Sequence, residues 1–384
     1  MTKKLKNYNK KEEKMSKIDE LIVQLCPDGV ELVPVKKCMK VTIGEFVHKD
    51  RQTKDGKYPV YNGGIGPTGL YDEYNNTGSK IIISARGANA GFINKIEKEY
   101  WAGNSCYSLG VIDKSTINYI FIYYYLKANQ SKFTDFQQKG GIPAVSKKQV
   151  EDLLIPIPPL PIQEEIVKIL DRFTELEAEL EAELEARTRQ YEYYRNQLLA
   201  FENEKVEWKT LGEVGKIKRG VAFTKKQSIF GNYPVVANAP VPISFHNVAN
   251  RSGECVVIAR SGANAGLVSY WNEEFFLTDA FSIHPDNDLL NTKFLYYFLK
   301  NLQREIHLMK KGFGVPHVRA SDFEIYYVPI PPLAEQERIV DILDKFDALV
   351  NDISVGLPAE INARRQQYEY YRGTLLSFKE VQKN

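Results

Sequence analysis

The pentapeptide Gly-Ala-Asn-Ala-Gly occurs twice in this chain of 384 residues, at positions 87–91 and 262–266, and its recurrence decides the fold. Five other short motifs also occur twice, in the same order, at offsets between 173 and 177 residues. The matched pairs are residues 58–60 with 233–235, 141–143 with 314–316, 156–160 with 329–333, 169–173 with 342–346, and 191–195 with 368–372. Solenoid repeats have periods of roughly 20–50 residues, so the pattern predicts a duplicated domain instead.

The first part of each repeat is predicted to be a globular domain of mixed α/β (α+β) class with short strands. Apolar runs at residues 81–83 and 256–258 predict buried strands. Residues 119–126 and 294–302 predict short helices that pack on those strands.

The second part of each repeat is predicted to be a long helix that begins after a proline-rich run. Apolar and aromatic residues then recur every three or four positions, as in the seam of a coiled coil. The seam residues are Phe173, Leu176, Leu180, Leu184, Tyr191 and Tyr194 in the first helix, and Phe346, Leu349, Ile353, Tyr368 and Tyr371 in the second. Residues 175–186 are three copies of Glu-Leu-Glu-Ala, which favours an unbroken helix. Gly356-Leu357-Pro358 predicts that the second helix ends at Gly356 and restarts with Pro358 in its first turn.

Connectivity predicts how these parts are arranged. If the two seams pair, the second helix runs antiparallel to the first, and the globular domains lie at opposite ends of a rod roughly 60 Å long with pseudo-two-fold symmetry. The predicted segments are a disordered basic tail (1–14), a globular domain (15–159), a helix (160–201), a second globular domain (202–332), a second helix (333–378) and a tail (379–384).

Composition excludes several classes of protein. The four cysteines are far apart, so the chain is neither a disulfide scaffold nor a structural zinc protein, and we expect it in the cytoplasm. No apolar stretch is long enough to cross a bilayer. The globular segments are weakly basic and the helices acidic, so a polyanion would contact the former.

Catalytic patterns are missing from the sequence. It contains no phosphate-binding Walker loop, no zinc-protease or serine-hydrolase motif and no dinucleotide fingerprint, and the five histidines show no metal-ligand spacing. We therefore expect a protein that is not an enzyme and binds no metal or cofactor. Two similar domains on a stiff spacer suit a repeating linear ligand, of which duplex DNA is the commonest. A self-sufficient methyltransferase or nuclease and a coiled-coil scaffold that binds only proteins remain alternatives.

The sequence resembles the specificity subunit of type I restriction–modification enzymes over nearly its whole length. The resemblance rests on the opening at residues 25–31, on Gln163-Glu164 and Gln336-Glu337 after the Pro-Pro-Leu motifs, and on the Gln-Tyr-Glu-Tyr-Tyr-Arg helix ends. It implies a non-catalytic, DNA-binding subunit of an adenine methyltransferase/endonuclease complex. Two target recognition domains would read a bipartite DNA site, while the helices set the spacer and dock two methylase subunits that bind S-adenosylmethionine. A motor-nuclease subunit would complete the complex; a fused methylase-nuclease is an alternative partner.

Basic and amide side chains near the repeated turns are the candidate DNA contacts, because arginine pairs with guanine and asparagine with adenine. Arg86 and Arg260 are expected at equivalent places just before the turn. The full set is Lys49, Arg51, Asn62, Arg86, Asn89, Lys139, Lys225, Lys226, Asn238, Arg260, Asn264, Lys311, His317 and Arg319. A capped structural hairpin would equally explain the asparagines, and solubility alone would explain single lysines.

The helix ends carry the candidate surface for the partner. Tyr193, Arg195, Tyr370 and Arg372 are predicted to point outward and to dock the methylase. Tyr191, Tyr194, Tyr368 and Tyr371 fit the seam itself, where tyrosines pack between paired helices.

Overall fold

The protein forms two compact units, each containing one globular domain. The computed structural model describes residues 16–134, 142–201, 206–222, 231–312 and 314–381, so the tail predicted at 1–14 and residues 382–384 lie outside it. The first unit comprises Met1–Ala178 and Asn362–Asn384, and the second comprises Glu179–Ile361. Each long helical region is therefore divided between the two units.

The first globular domain consists of nine described strands and five short helices. Its strands are β1 (Leu32–Pro34), β2 (Met39–Ile43), β3 (Tyr58–Tyr61), β4 (Gly69–Tyr71), β5 (Lys80–Ser84), β6 (Ile93–Ile96), β7 (Trp101–Ala102), β8 (Cys106–Val111) and β9 (Leu154–Pro156). Its helices are α1 (Lys17–Leu25), α2 (Val35–Cys38), α3 (Tyr119–Ala128), α4 (Ser131–Thr134) and α5 (Lys147–Asp152), with a 3-10 turn at Lys49–Arg51.

The strands of the first domain form a larger sheet of order β2-β8-β5-β6, a smaller one of order β4-β3-β7, and the pair β1-β9. The predicted strand at residues 81–83 is the core of β5 and is buried on both faces. Ile81 and Ile83 pack with the helices, whereas Ile82 packs with Tyr100 and Cys106 beside the smaller sheet. This explains why the run is apolar throughout instead of alternating.

The second globular domain repeats the same strand order. Its strands are β10 (Glu207–Thr210), β11 (Gly215–Arg219), β12 (Tyr233–Val236), β13 (Ser244–His246), β14 (Glu254–Ala259), β15 (Val268–Asn272), β16 (Phe276–Leu277), β17 (Ala280–Pro285) and β18 (Tyr327–Ile330). Its helices are α7 (Leu211–Val214), α8 (Thr292–Asn301), α9 (Gln303–Leu308) and α10 (Ala320–Glu324). The sheets are β11-β17-β14-β15, β13-β12-β16 and β10-β18, so the duplication inferred from the motifs is confirmed in the topology.

The long helical regions are one unbroken helix and one interrupted one, as predicted. The unbroken helix is α6 (Leu160–Leu198), and the others are α11 (Leu333–Asn351) and α12 (Leu357–Leu375). The break comes earlier than Gly356, because the Asp352 carboxylate accepts the Ser354 N–H at 2.7 Å and redirects the backbone.

One predicted seam residue is consequently wrong. Ile353 lies beyond the end of α11 and is 83% exposed. Leu349 lies inside α11 and is 37% exposed, which is close to the exposure of the seam tyrosines Tyr194 and Tyr371 at 42% and 44%. Val350 is buried instead, so a seam pattern extended into the break assigned Ile353 to the wrong face.

Helix pairing within each unit confirms the aromatic seam predictions. In the first unit Phe173 contacts the rings of Tyr368 and Tyr371, and Glu177 pairs with Arg365 at 2.6 Å, so the two segments run antiparallel. In the second unit the rings of Tyr191 and Tyr194 stack on Phe346. Leu176, Leu180 and Leu184 are half-buried. The tail predicted at 379–384 begins with a backbone bridge between Val30 and Glu380.

One buried glutamine in each unit anchors the globular domain to the start of its helix. Gln163 donates to the carbonyl oxygens of Thr116 and Pro158 at 2.9 and 2.7 Å and accepts the Asn118 N–H at 2.8 Å. Gln336 makes the matching three bonds, to Leu289 O, Pro331 O and Asn291 N–H, at 2.9, 2.7 and 2.7 Å. Both glutamines are fully buried. The Pro-Pro-Leu-x-x-Gln motif is therefore a structural anchor between domain and helix.

A second anchor lies two turns further along each helix. Asp171 accepts the hydroxyl of Tyr124 at 2.6 Å, and Asp344 accepts that of Tyr297 at 2.5 Å. Burial, followed by the carboxylate, raises the pKa of both phenols. No described helix combines the length and apolar character that crossing a bilayer requires.

Candidate nucleic-acid interface

The pentapeptide turn of each unit connects two antiparallel strands of the larger sheet, β5 to β6 and β14 to β15. Gly87 and Gly262 have φ of 90° and 79°, in the left-handed region that favours glycine. The Ala90 N–H donates to Gly87 O at 2.9 Å, and the Ala265 N–H donates to Gly262 O at 3.1 Å. Both turns therefore hold the residues that precede them in a defined position.

The expected equivalence of Arg86 and Arg260 is wrong by one residue. The N–H of Ala85 donates to Ser105 O at 2.8 Å, and the N–H of Arg260 donates to Asp279 O at 3.0 Å. Gly87 and Gly262 correspond in the same way, so Arg260 matches Ala85 and Arg86 matches Ser261. Successive side chains of an extended segment point to opposite faces, so the two arginines project differently from the same backbone frame.

In the second unit, two predicted residues, Arg260 and Asn238, contact a carboxylate that was not predicted, that of Asp279. Asp279 forms an ion pair with Arg260, with Nε and Oδ1 3.4 Å apart. Its other oxygen accepts the Asn238 side-chain amide at 3.1 Å and the Ser261 hydroxyl. Asn264 joins the group by donating to Asn238 O at 2.9 Å. We name Arg260, Asp279, Ser261, Asn238 and Asn264 the Asp279 cluster.

A cleft of about 830 Å³ opens beside the Asp279 cluster and is rich in basic side chains. Arg219, Arg260, His317 and Arg319 line it, and Asp279 is its one carboxylate among the described lining residues. The arginines carry permanent positive charge, so the cleft suits a polyanion such as a phosphate backbone with exposed base edges. Arg219 was not predicted.

The first unit offers a different surface on the same frame. Arg86 is exposed, and no described residue hydrogen-bonds its guanidinium. Asn62 is half-buried and accepts the Ser105 N–H at 3.0 Å, which gives it a structural role. Asn89 is also half-buried. The residue that matches Arg219 by strand register is Ile43, which is 55% exposed.

The remaining basic candidates are scattered. Lys49 and Arg51 are exposed in the 3-10 turn. Lys311 pairs with Asp322 at 3.0 Å and bridges to the backbone of His317. Lys139, Lys225 and Lys226 lie outside the described residues. Lys310, which neighbours the candidate Lys311, donates to Ala263 O at 2.9 Å and so braces the second turn.

The candidate docking residues divide into two kinds. Tyr193 and Tyr370 are 61% and 69% exposed, as an outward position requires. Arg195 instead stacks on Tyr191 and donates to Asn301 at 2.9 Å, and Arg372 lies over Tyr368 and pairs with Glu369. The outward position expected for these two arginines is therefore wrong, because tyrosine rings one turn earlier hold their guanidinium groups.

The described residues form no metal cluster, and their buried cysteines are not activated nucleophiles. No group of three or more metal-ligating side chains occurs in the part of the chain that the structure describes. Burial raises the pKa of the Cys38 and Cys255 thiols to about 11 and that of Cys106 to about 12, which disfavours the reactive thiolate. Burial, with Lys218 and Arg251 nearby, lowers the pKa of His284 to about 4.

Known proteins resemble this chain in both repeats. Residues 27–186 and 203–363 each match the family described as type I restriction modification DNA specificity domain. The type I restriction enzyme EcoR124I/EcoR124II specificity subunit of Escherichia coli is 35% identical over 288 residues, which cover 67% of this chain and 70% of that protein. A putative type I restriction enzyme specificity subunit of Haemophilus influenzae is 31% identical over 352 residues, covering 84% of this chain and 89% of the relative.

A solved structure shows that the fold is shared as well. The S subunit of a type I restriction–modification system from M. genitalium has a TM-score of 0.67 at 20% identity, with 91% of this chain and 96% of that chain covered. Because the family match spans both repeats and the relatives exceed 30% identity, the chain belongs to the type I restriction–modification DNA specificity family.

Proposed function

We propose that this chain reads a bipartite DNA site, one half with each recognition domain, on behalf of a methylase and a nuclease that other subunits supply. One observation carries the proposal. The two domains share strand order and turn geometry but differ in side chains at matched positions: Arg260 against Ala85, Ser261 against Arg86, and Arg219 against Ile43. A common frame with different reading residues is what two different half-sites require.

We also propose that the helical region between the domains sets the gap between half-sites. The Glu-Leu-Glu-Ala copies form part of the unbroken α6, and their glutamates 175, 179, 181, 183 and 185 are exposed, as suits a spacer that avoids phosphates. Deleting residues 179–182 removes roughly 6 Å of helix and roughly 40° of rotation. We expect a shorter gap with both half-sites unchanged, measured by mapping methylated sites; an unchanged gap would contradict the spacer role.

The partners in this proposal are two methylase subunits, which bind S-adenosylmethionine and methylate adenine, and a motor-nuclease subunit that completes restriction. Tyr193 and Tyr370 are matched, exposed tyrosines on the helix ends, and we propose them as methylase contacts. The chain itself would bind no cofactor and would work in the cytoplasm, where its four free cysteines stay reduced.

Methyl transfer with purified components tests the proposal. The chain alone, given duplex DNA and labelled S-adenosylmethionine, is expected to transfer no label. With its methylase it is expected to label DNA at two short sequences separated by a fixed gap. Transfer by the chain alone would identify an enzyme. Absence of sequence-selective DNA retention with methylase present would favour a protein-binding scaffold. A fused methylase-nuclease partner would give the same labelling and add cleavage.

A further inference from the structure

Among the described candidate arginines, Arg260 is distinguished by an oriented carboxylate beside its Nε. The ion pair with Asp279 lies at Nε, and no described residue hydrogen-bonds Nη1 or Nη2. The Arg260 side chain is 59% exposed, so its two terminal nitrogens face the cleft. A guanidinium held in this way presents parallel donors, the pattern that matches O6 and N7 of guanine.

Asp279 is itself held in an uncommon conformation. Its φ is 40°, in the left-handed region, which Asn and Asp adopt more readily than most residues that carry a Cβ. The Asn238 amide and the Ser261 hydroxyl fix its second oxygen. The carboxylate is therefore oriented toward Arg260 before any DNA arrives, and such strain persists where the surroundings enforce it.

The first unit has no counterpart to this arrangement. Its connection between β7 and β8 is residues 103–105, Gly-Asn-Ser, and the backbone position of Asp279 is taken by Ser105. No carboxylate occurs in that connection, and the position of Arg260 is occupied by Ala85. The carboxylate-held arginine is specific to the second domain.

We propose that Arg260 reads a guanine of a G·C pair in the half-site of the second domain, and that Asp279 is the positioning residue that holds Arg260 for this contact. This inference rests on the proposed function and assigns part of one half-site to one pair of residues. An arginine without such a partner would contact phosphates as readily as bases. Asp279 fixes the Nε side of Arg260 and so directs its terminal nitrogens to a base edge. The cost of a mismatch at that pair is expected to be roughly 10- to 100-fold in affinity.

The test maps methylated sites in cells that express the methylase with the full chain, as wild type, Arg260→Lys or Asp279→Asn. Asparagine tolerates the left-handed conformation, so Asp279→Asn removes the charge while keeping the backbone. Lysine keeps the charge of Arg260 without its planar fork. Both variants should relax the same G·C pair by roughly 10- to 100-fold, with the other half-site and the gap unchanged. Arg86→Lys makes the same substitution at the exposed arginine of the first unit, which matches Ser261, and should leave that pair unaffected.

Binding measurements keep the test decisive if Asp279→Asn folds poorly. The wild-type complex with methylase is measured on a duplex of the mapped site in which 7-deazaguanine replaces the guanine, which removes N7. Wild type should bind this duplex roughly 10- to 100-fold more weakly than the normal one, and Arg260→Lys should show little difference between the two.

Several results would overturn the inference: a second half-site without a specified G·C pair, equal loss on all sequences in both variants, or an unchanged preference in Arg260→Lys. If wild type modifies no bipartite site at all, the proposed function fails instead. If wild type modifies bipartite sites and the Arg260 variants keep the same G·C preference, only the assignment of Arg260 is wrong and the proposed function stands.

Discussion

The helix anchors and the reading surfaces of the two units have diverged to very different extents. Gln163 and Gln336 make the same three hydrogen bonds, with lengths that agree within 0.1 Å. On the reading surfaces, by contrast, a carboxylate-held arginine in the second unit matches an alanine in the first. The two copies share the contacts that fix each domain to its helix and differ in the side chains that can face a ligand.

Breaking the glutamine anchor should produce the largest effect, and an equal one in both units. Gln163→Leu and Gln336→Leu each leave two carbonyl oxygens and one N–H without partners in a buried site, at roughly 1–3 kcal/mol each. We expect each variant to lose about 3 kcal/mol or more of the stability of its own unit, measured by hydrogen exchange. Glu164→Gln changes an exposed neighbour and should stay within about 0.5 kcal/mol of wild type. A large loss in only one unit would contradict the equivalence of the two anchors.

The aspartate anchor should separate the two units. Asp344 accepts the Tyr297 hydroxyl and also pairs with Lys293 at 2.6 Å, whereas among the described residues Asp171 has the tyrosine alone. We expect Asp344→Asn to cost up to about 1 kcal/mol more than Asp171→Asn at low salt, because Lys293 is partly exposed. Denaturation at low and at high salt measures the difference, which should shrink as salt rises. An equal cost at both salt concentrations would show that Lys293 adds nothing.

Most of the architecture could be predicted from the sequence because its motifs occur twice. Motifs at offsets of 173 to 177 predicted the tandem topology, and the runs at 81–83 and 256–258 predicted the central strands. Prediction from the sequence failed for residues whose positions depend on strand register. Arg86 and Arg260 precede the same turn but differ by one position in strand register, so their side chains point to opposite faces.

Asp279 was missed because its role depends on the backbone of a two-residue connection. Aligning that connection with residues 103–105 would have exposed a charge present in one repeat and missing from the other. The exposed Ile353 shows the same limit, since the seam periodicity continues in the sequence after the helix has ended at Asn351.

Acid should destabilise the second unit through His284, a group that the first unit lacks at the matched position. His284 in β17 has a pKa of about 4, and the matching position in β8 is Gly110. The folded state therefore favours neutral histidine, whereas the unfolded chain takes up a proton near pH 6.5. Stability from this group is complete above pH 6.5 and falls as the pH drops toward 4. Hydrogen exchange at pH 7.5 and 5 should show β17 losing protection relative to β8, and His284→Gln should remove the difference. Equal losses in both strands would exclude His284 as the cause.

The most direct test of the account is to map methylated sites for a chain that carries the first recognition domain in both positions, beside the wild-type chain. If each domain reads its own half-site, the wild type should modify two different short sequences across a fixed gap. The duplicated chain should then modify sites in which both halves carry the sequence that the first domain reads, and the second half-site should disappear. A duplicated chain that still modifies the wild-type bipartite sequence would show that the halves are not assigned to the domains, and would contradict the account.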